Sequence, residues 1–172
     1  SILKILVETG WEGSPGLKIL MGAEPAPRAL VDFLVPRCQS LWNLYGPTEI
    51  TICATCIRLE AGPGSVPIGR PLDNTELWIL DDALAAVAEG EVGELFVGGE
   101  GVALGYQGRP DLTEANFLPD AQRPGRWIYR TGDLVRSRGG VLDFVGRKDH
   151  QVKLRGYRVE LGEVEKNIEQ CP

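Results

Sequence analysis

The sequence predicts an α/β chain, with a parallel strand–helix–strand unit first and a β-rich half after it. Three observations carry this. Two short apolar runs, "LKILMGAE" (17–24) and "SLWNLYG" (40–46), flank the helical pattern "APRALVDFLV" (26–35). From about residue 66, "TELWIL", "GELFVGG", "WIYRTGDLV" and "VLDFVG" follow as short β-type runs with Gly, Asp and Pro between them. From residue 147 the chain is basic, "RKDHQVKLRGYR", and then amphipathic.

Taken in order, "ILKILVET" (2–9) reads as the tail of a helix. "LKILMGAE" reads as a short buried strand running into a glycine turn. The helix after it has Pro near its start and Leu30, Phe33 and Leu34 on one face. "SLWNLYG" closes a strand–helix–strand unit, for which a parallel pairing is expected. Ligands in such sheets bind at the carboxyl ends of strands, here the Gly22 turn and the Tyr45–Glu49 turn. "TICATCIRL" (51–59) alternates like a strand, and the β-rich half reads as an antiparallel sheet or barrel. "LGEVEKNIEQ" reads as a helix with Leu161, Val164 and Ile168 on one face. No partner for that face is visible, which suggests a piece of something larger.

Composition narrows the function. With 172 residues, 43% hydrophobic and 24% charged, the chain can bury a core and stay soluble. A net charge of −6 argues against broad nucleic-acid binding. No apolar run is long enough to span a membrane and the start lacks a cleavable signal, so a cytoplasmic location is expected. Cys53 and Cys56 form a CxxC, but no second pair follows and His150 is the only histidine, so these thiols read as structural. "VGGEGVALG" fails the dinucleotide pattern, because Gly105 comes one residue late after Gly99 and Gly101 and no helix is expected to follow.

The chemistry concentrates at "NLYGPTE" (43–49). A tyrosine ring stacks on a flat base. An asparagine amide matches a donor beside an acceptor on an adenine-like edge. A threonine hydroxyl suits a phosphate oxygen, and a glutamate is a hard ligand for Mg²⁺. Asn43, Tyr45, Thr48 and Glu49 at one strand end therefore suit a magnesium nucleotide, although a plain turn with a solvated Glu explains the same residues.

"NLYGPTE" also resembles a core motif of adenylate-forming enzymes, specifically the adenylation domains of nonribosomal peptide synthetases. "GELFVGGEGVALGY" (93–106), "YRTGDL" (129–134) and "GRKDHQVKLRGYRVELGEVE" (146–165) resemble that family's next motifs, in order. The resemblance implies part of an α/β subdomain (1–62), a β-rich, distorted-barrel subdomain (63–146), and a hinge with the start of a small C-terminal α+β lobe (147–172). It implies that Gly22 and Asn43 border adenine, that Tyr45 stacks on it, and that Thr48 meets a phosphate oxygen. Glu49 would hold Mg²⁺. Asp133, in the "TGD" turn, would accept from both ribose hydroxyls. Phe144 would pack beside the nucleoside, and Arg147 would meet its ribose and phosphate side. Thr48, Glu49 and Arg147 would then be the catalytic set.

Asp149 matches the family's hinge, and Gly156 its pantetheine channel. Ile19, Met21, Leu44, Ile52 and Cys53 match positions lining the acyl pocket. None is charged, so a charged substrate side chain would lack a partner there. Met21 stands where the family often has Gly or Ala; it would shorten the pocket, suit a keto or hydroxy acid, or repack sideways.

The implied reaction uses ATP and Mg²⁺ to make an acyl adenylate, then loads the phosphopantetheine of a peptidyl carrier domain, as in antibiotic and other secondary-metabolite synthesis. An MbtH-like helper would dock near "GRPDLTEANFLPD" (108–120). The family's phosphate loop would lie upstream and its catalytic lysine downstream. The chain is thus expected to be roughly a middle third, inactive without the remainder of its domain. Two alternatives stand. An acyl-CoA ligase is disfavoured by "YRVELGEVE" and by "NTELWILDD" (74–82). A split or degenerate domain kept as a scaffold is disfavoured by the intact Glu49, Asp133 and Arg147.

Overall fold

The structure, a computed structural model, describes residues 2–120, 123–149, 151–154, 157–160, 164, 167, 168 and 170. It opens with helix α1 (Ile2–Glu8), strand β1 (Ser14–Met21), helix α2 (Arg28–Leu34) and strand β2 (Cys38–Tyr45). β1 and β2 pair in parallel, with Ile19 opposite Leu41 and Met21 opposite Asn43. The expected strand–helix–strand unit is therefore present.

Proline shapes α2 at both ends. Pro27 caps its start with extended backbone, and Pro36 sits in the single 3-10 turn that ends it. The helix buries Leu30, Val31 and Leu34 against Ile19, Leu41 and Leu59. Val31 takes the place expected for Phe33, which is only partly buried and lies under the Arg37 guanidinium, 4.0 Å from its ring centre. β1 is less buried than expected. Of its residues only Ile19 is buried, because β1 ends the strand order and α2 covers a single face.

Residues 48–50 form one 3-10 turn, and strand β3 (Thr55–Arg58) runs back antiparallel to β2. The expected strand alternation thus begins only at Thr55. Thr51 and Ile52 hold positive φ of 57° and 76°, which no β-strand accommodates.

Strands β4 (Pro67–Pro71), β5 (Thr75–Leu80) and β6 (Val92–Gly99) follow. Helix α3 (Pro110–Asn116), strand β7 (Phe117–Pro119), and the long strands β8 (Trp127–Arg138) and β9 (Val141–Arg147) come next. The expectation of no helix after the glycine-rich stretch is corrected by α3, which Pro110 starts at its first position. The hydrogen-bonded order is β1-β2-β3-β4-β9-β8-β6-β5, with β7 beside β8. All pairs after β1–β2 are antiparallel, and among the described residues the sheet is open. Its second core gathers Tyr45, Ile50, Leu95, Val97, Phe117 and Tyr129.

Strand β10 (Gln151–Leu154) and strand β11 (Tyr157–Glu160) form a separate antiparallel pair. In the last segment, Val164 and Ile168 are exposed. Gly156 and Leu161 lie outside the described residues.

Candidate nucleotide site

β2 alternates, and this puts Leu41, Asn43 and Tyr45 on its buried side. Leu41 packs under α2 while Tyr45 reaches the second core, so the carboxyl end of β2 joins the two. The chain then doubles back at Gly46. A Cβ there would stand 2.5 Å from the Ile52 carbonyl and 2.8 Å from the Ala54 nitrogen, so only glycine fits the fold-back. Gly22 is equally constrained, since a Cβ on it would lie 2.6 Å from the Leu44 carbonyl.

β8 delivers the aspartate. Its buried face reads Tyr129, Thr131, Asp133, Val135. Asp133 therefore belongs to a strand interior, which corrects the expected "TGD" turn. The departure is local: Gly132 holds a φ of +71°, and its carbonyl accepts the Lys148 backbone N–H at 2.9 Å. Thr131 supports the bend by accepting from the Asp133 backbone N–H at 3.0 Å while donating to the Leu95 carbonyl at 2.7 Å.

The Asp133 carboxylate is 1% exposed and held on both oxygens. The Tyr45 hydroxyl donates to Oδ2 at 2.5 Å, and Arg147 Nη1 donates to Oδ1 at 2.5 Å. Arg147 also forks onto Asp149, with Nε and Nη2 each 2.6 Å from a carboxylate oxygen. Burial, followed by the neighbouring Asp133 charge, pushes the Tyr45 phenol well above its ordinary range. Burial opposes the Arg147 charge, but Asp149 and Asp133 outweigh it and leave the guanidinium held above its ordinary value. Expected adenine-side, ribose-side and hinge residues thus form one continuous chain of contacts.

Tyr45, Arg147 and Asp149 border a cleft of about 720 Å³, lined also by Asn43, Leu44 and Phe144, with Asp133 buried behind them. That volume falls in the usual range for small-molecule sites. The Asn43 amide donates to the Pro67 carbonyl at 2.7 Å, which fixes its orientation at the rim. Arg28 organises the far wall by donating to the carbonyls of Glu60, Gly64 and Ser65 at 2.9, 3.2 and 2.7 Å. Met21 and Gly22 border an adjoining hollow that shares Ala23 to Ala26 with the cleft.

The expected acyl-pocket residues do not all meet. Leu44 faces the cleft, Ile19 is buried in the helix-backed core, and Met21 packs against that core. Ile52 is 75% exposed on the turn. Burial raises the pKa of the Cys53 and Cys56 thiols.

Glu49 and Thr48 sit on the turn beyond β2, and Glu49 is buried. The Tyr106 hydroxyl donates to Glu49 Oε1 at 2.5 Å. A single fixed carboxylate beside a threonine fits magnesium, which takes one or two carboxylates and fills its shell with phosphate and water oxygens. Among the described residues no group of three or more His, Cys, Asp or Glu could hold a metal unaided, so a cation here needs nucleotide oxygens as well.

Sequence reasoning missed three supports: Thr131, Tyr106, and the pairing of Lys148 with Glu94 and Asp82 (3.1 and 2.6 Å). The alternation of "WIYRTGDLV" could have found Thr131, since it shares a face with Asp133. No local pattern joins Tyr106 to Glu49, which lie 57 residues apart in the chain.

A parallel unit with a cleft at its strand ends is the arrangement of an α/β ligand-binding domain. Residues 2–107 match the family profile described as AMP-binding enzyme. Over 163 residues the chain is 47% identical to the dimodular nonribosomal peptide synthase of Bacillus subtilis, a match covering 93% of this chain and 7% of that protein. The structure superimposes on the Vibrio cholerae adenylation domain AlmE, solved in complex with glycyl-adenosine-5'-phosphate. The TM-score is 0.88 at 33% identity, covering 98% of this chain and 34% of that one. It also superimposes on PA1221, a nonribosomal peptide synthetase protein containing adenylation and PCP domains. There the TM-score is 0.83 at 30% identity, covering 99% of this chain and 34% of that one. The chain thus spans about a third of these two structures and a small share of the dimodular synthase. It belongs to the AMP-binding enzyme family, and within it resembles the adenylation domains of nonribosomal peptide synthetases.

Proposed function

We propose that this chain supplies the nucleotide-handling part of an adenylation domain that activates an amino acid, or a related carboxylic acid, as its acyl adenylate. The contact of Tyr45 and Arg147, which line the cleft, with the buried Asp133 carboxylate behind them is the observation that carries this reading. In the reaction, a substrate carboxylate oxygen attacks the α-phosphorus of ATP. The bond to the bridging oxygen breaks, and pyrophosphate leaves with the electron pair. Such chemistry depends mainly on positioning and charge neutralisation.

Each residue has a part in that positioning. The Tyr45 ring offers its face to adenine, with Gly22 and Asn43 at the edge. Each Asp133 oxygen keeps a second lone-pair site beyond the one taken by Tyr45 or Arg147, which suits two adjacent ribose hydroxyls. Phe144 packs the nucleoside against β9. Arg147 offers the guanidinium charge to the ribose and phosphate side, and Thr48 its hydroxyl to a phosphate oxygen. Glu49 would hold Mg²⁺, which when bound supplies neutralisation of the phosphate charge. On the acyl side Leu44 on the cleft wall and Met21 at the adjoining hollow offer an uncharged lining, which Ile19, Ile52 and Cys53 would complete only together with the rest of the domain.

In the second half-reaction the deprotonated phosphopantetheine thiol of a peptidyl carrier domain attacks the acyl carbonyl; a thioester forms, the acyl–phosphate bond breaks, and AMP leaves with the electron pair. Residues 1–62 and 63–146 would then be two subdomains of the core, with Asp149 as the hinge to a lobe that includes Gly156. The coverage of about a third of AlmE supports a chain that works with further polypeptide, which would supply the phosphate loop and catalytic lysine. Such a domain is cytoplasmic, and an MbtH-like helper would dock on residues 108–120.

Acid-dependent ATP–pyrophosphate exchange tests the reading, run on the intact polypeptide with a panel of amino, keto and hydroxy acids. One uncharged acid should drive exchange, and Glu49→Ala should reduce it by about a hundredfold or more. Exchange that Glu49→Ala leaves untouched would remove Glu49 from the mechanism.

A further inference from the structure

We infer that Tyr106 is a positioning residue for the Glu49 carboxylate, and that the glycine-rich loop of residues 99–106 is the platform that aims it. The inference rests on the reading above, in which Glu49 holds the magnesium of the nucleotide.

Four contacts join this loop to the turn that carries Glu49. The Tyr106 hydroxyl donates to Glu49 Oε1 at 2.5 Å. The Ala103 backbone N–H donates to the Glu49 carbonyl at 2.8 Å. The Thr51 hydroxyl donates to the Gly101 carbonyl at 2.9 Å. A Cβ on Gly101 would come within 2.9 Å of the Ile50 carbonyl, so the backbones touch where only glycine allows it. The loop therefore grips the Glu49 main chain and its side chain at once.

Tyr106 is itself held on three sides. Its ring meets Phe117 edge-on with centroids 5.5 Å apart, and Phe117 packs on Tyr129 at 5.1 Å. The Tyr106 and Tyr129 hydroxyls are 3.4 Å apart. The Tyr106 backbone N–H donates to Thr113 Oγ1 at 2.9 Å, which ties it to α3. A rigid donor on one carboxylate oxygen restricts rotation of the group and fixes where its ligand lone pairs point. The glycines of "VGGEGVALG" thereby acquire a role, since they let the loop approach Glu49 closely enough for Tyr106 to reach it.

The test uses Tyr106→Phe in the intact polypeptide, since it removes the hydroxyl and keeps the ring in its packing. Two readouts are followed: the Mg²⁺ concentration giving half-maximal ATP–pyrophosphate exchange, and Mn²⁺ binding in the presence of ATP by electron paramagnetic resonance. Both midpoints should rise about tenfold and KM for the carboxylic acid should stay near wild type, while the unfolding temperature falls modestly because buried Glu49 loses a donor. Glu49→Gln is made alone and with Tyr106→Phe. If Tyr106 acts through Glu49, the double variant binds Mn²⁺ no more weakly than Glu49→Gln. Unchanged metal midpoints in Tyr106→Phe, beside shifted ones in Glu49→Gln, overturn this inference and leave the proposed function standing. Metal midpoints unmoved by Glu49→Gln overturn both. Should Tyr106→Phe fold poorly, Thr113→Val loosens Tyr106 instead by removing the hydroxyl that accepts its backbone N–H. It should raise the metal midpoints likewise but by less, and wild-type midpoints would overturn the inference.

Discussion

Tyr45 shows how one side chain can carry two duties. Its ring borders the cleft while its hydroxyl, buried, fixes Asp133. Removing the hydroxyl leaves a buried carboxylate one partner short, so Tyr45→Phe should cost about 2 kcal/mol in urea unfolding at pH 8. The sign of its pH dependence follows from the raised phenol pKa. Below the ordinary tyrosine value of 10.0 both folded and unfolded forms keep the proton, and the contribution is complete. Above it the unfolded chain ionises first, so the contribution drains away as pH rises toward the folded value. The gap between wild type and Tyr45→Phe should therefore narrow between pH 9 and pH 11; a gap that widens would contradict the assignment. The pairing itself was invisible in the sequence, since Tyr45 and Asp133 are 88 residues apart. Only their motifs, each resembling a nucleotide-handling stretch, placed both near one ligand.

β6, β8 and β9 show what strand patterning does and does not disclose. Their β-type composition between turn residues predicted an antiparallel half, and in β8 "WIYRTGDLV" alternates between buried and half-buried faces. Pairing order was not legible, because β4 pairs with β9 rather than with its neighbour in sequence, β5. The charged clamp across these strands was not legible either. Buried Glu94 on β6 accepts both Arg130 donors on β8, at 2.7 and 2.9 Å, and Lys148 just past β9, at 3.1 Å. Burial raises the Glu94 carboxyl, but Arg130 and Lys148 outweigh it and hold its pKa below the ordinary 4.5. Its stabilising contribution is thus present above pH 4.5 and lost as pH falls through the depressed folded value. Glu94→Gln should cost about 1 kcal/mol at pH 7, modest because both cations are partly solvated. The difference from wild type should shrink progressively as pH falls below 4.5. Stability curves of the two proteins that stay parallel from pH 7 to pH 3 would rule this out.

Taken whole, the molecule is two packed regions meeting at the end of β2, with a cleft where they join. The helix-backed region was readable from periodicity, and the ordered motifs pointed to Asn43, Tyr45, Phe144 and Arg147, which border the cleft. The acyl side was least readable. Its residues are divided between a core, a cleft wall and an exposed turn, and positional matching says nothing of which way a side chain packs. The central claim is that this cleft receives an adenine ribonucleotide through Asp133. Calorimetric titration of the intact polypeptide with AMP and with 2′-deoxy-AMP tests it most directly. AMP should bind about tenfold more tightly than the deoxy analogue, and Asp133→Asn should narrow that ratio, if the ribose hydroxyls donate to the Asp133 carboxylate as proposed. Equal affinity for the two nucleotides, or a ratio unchanged in Asp133→Asn, would contradict the account.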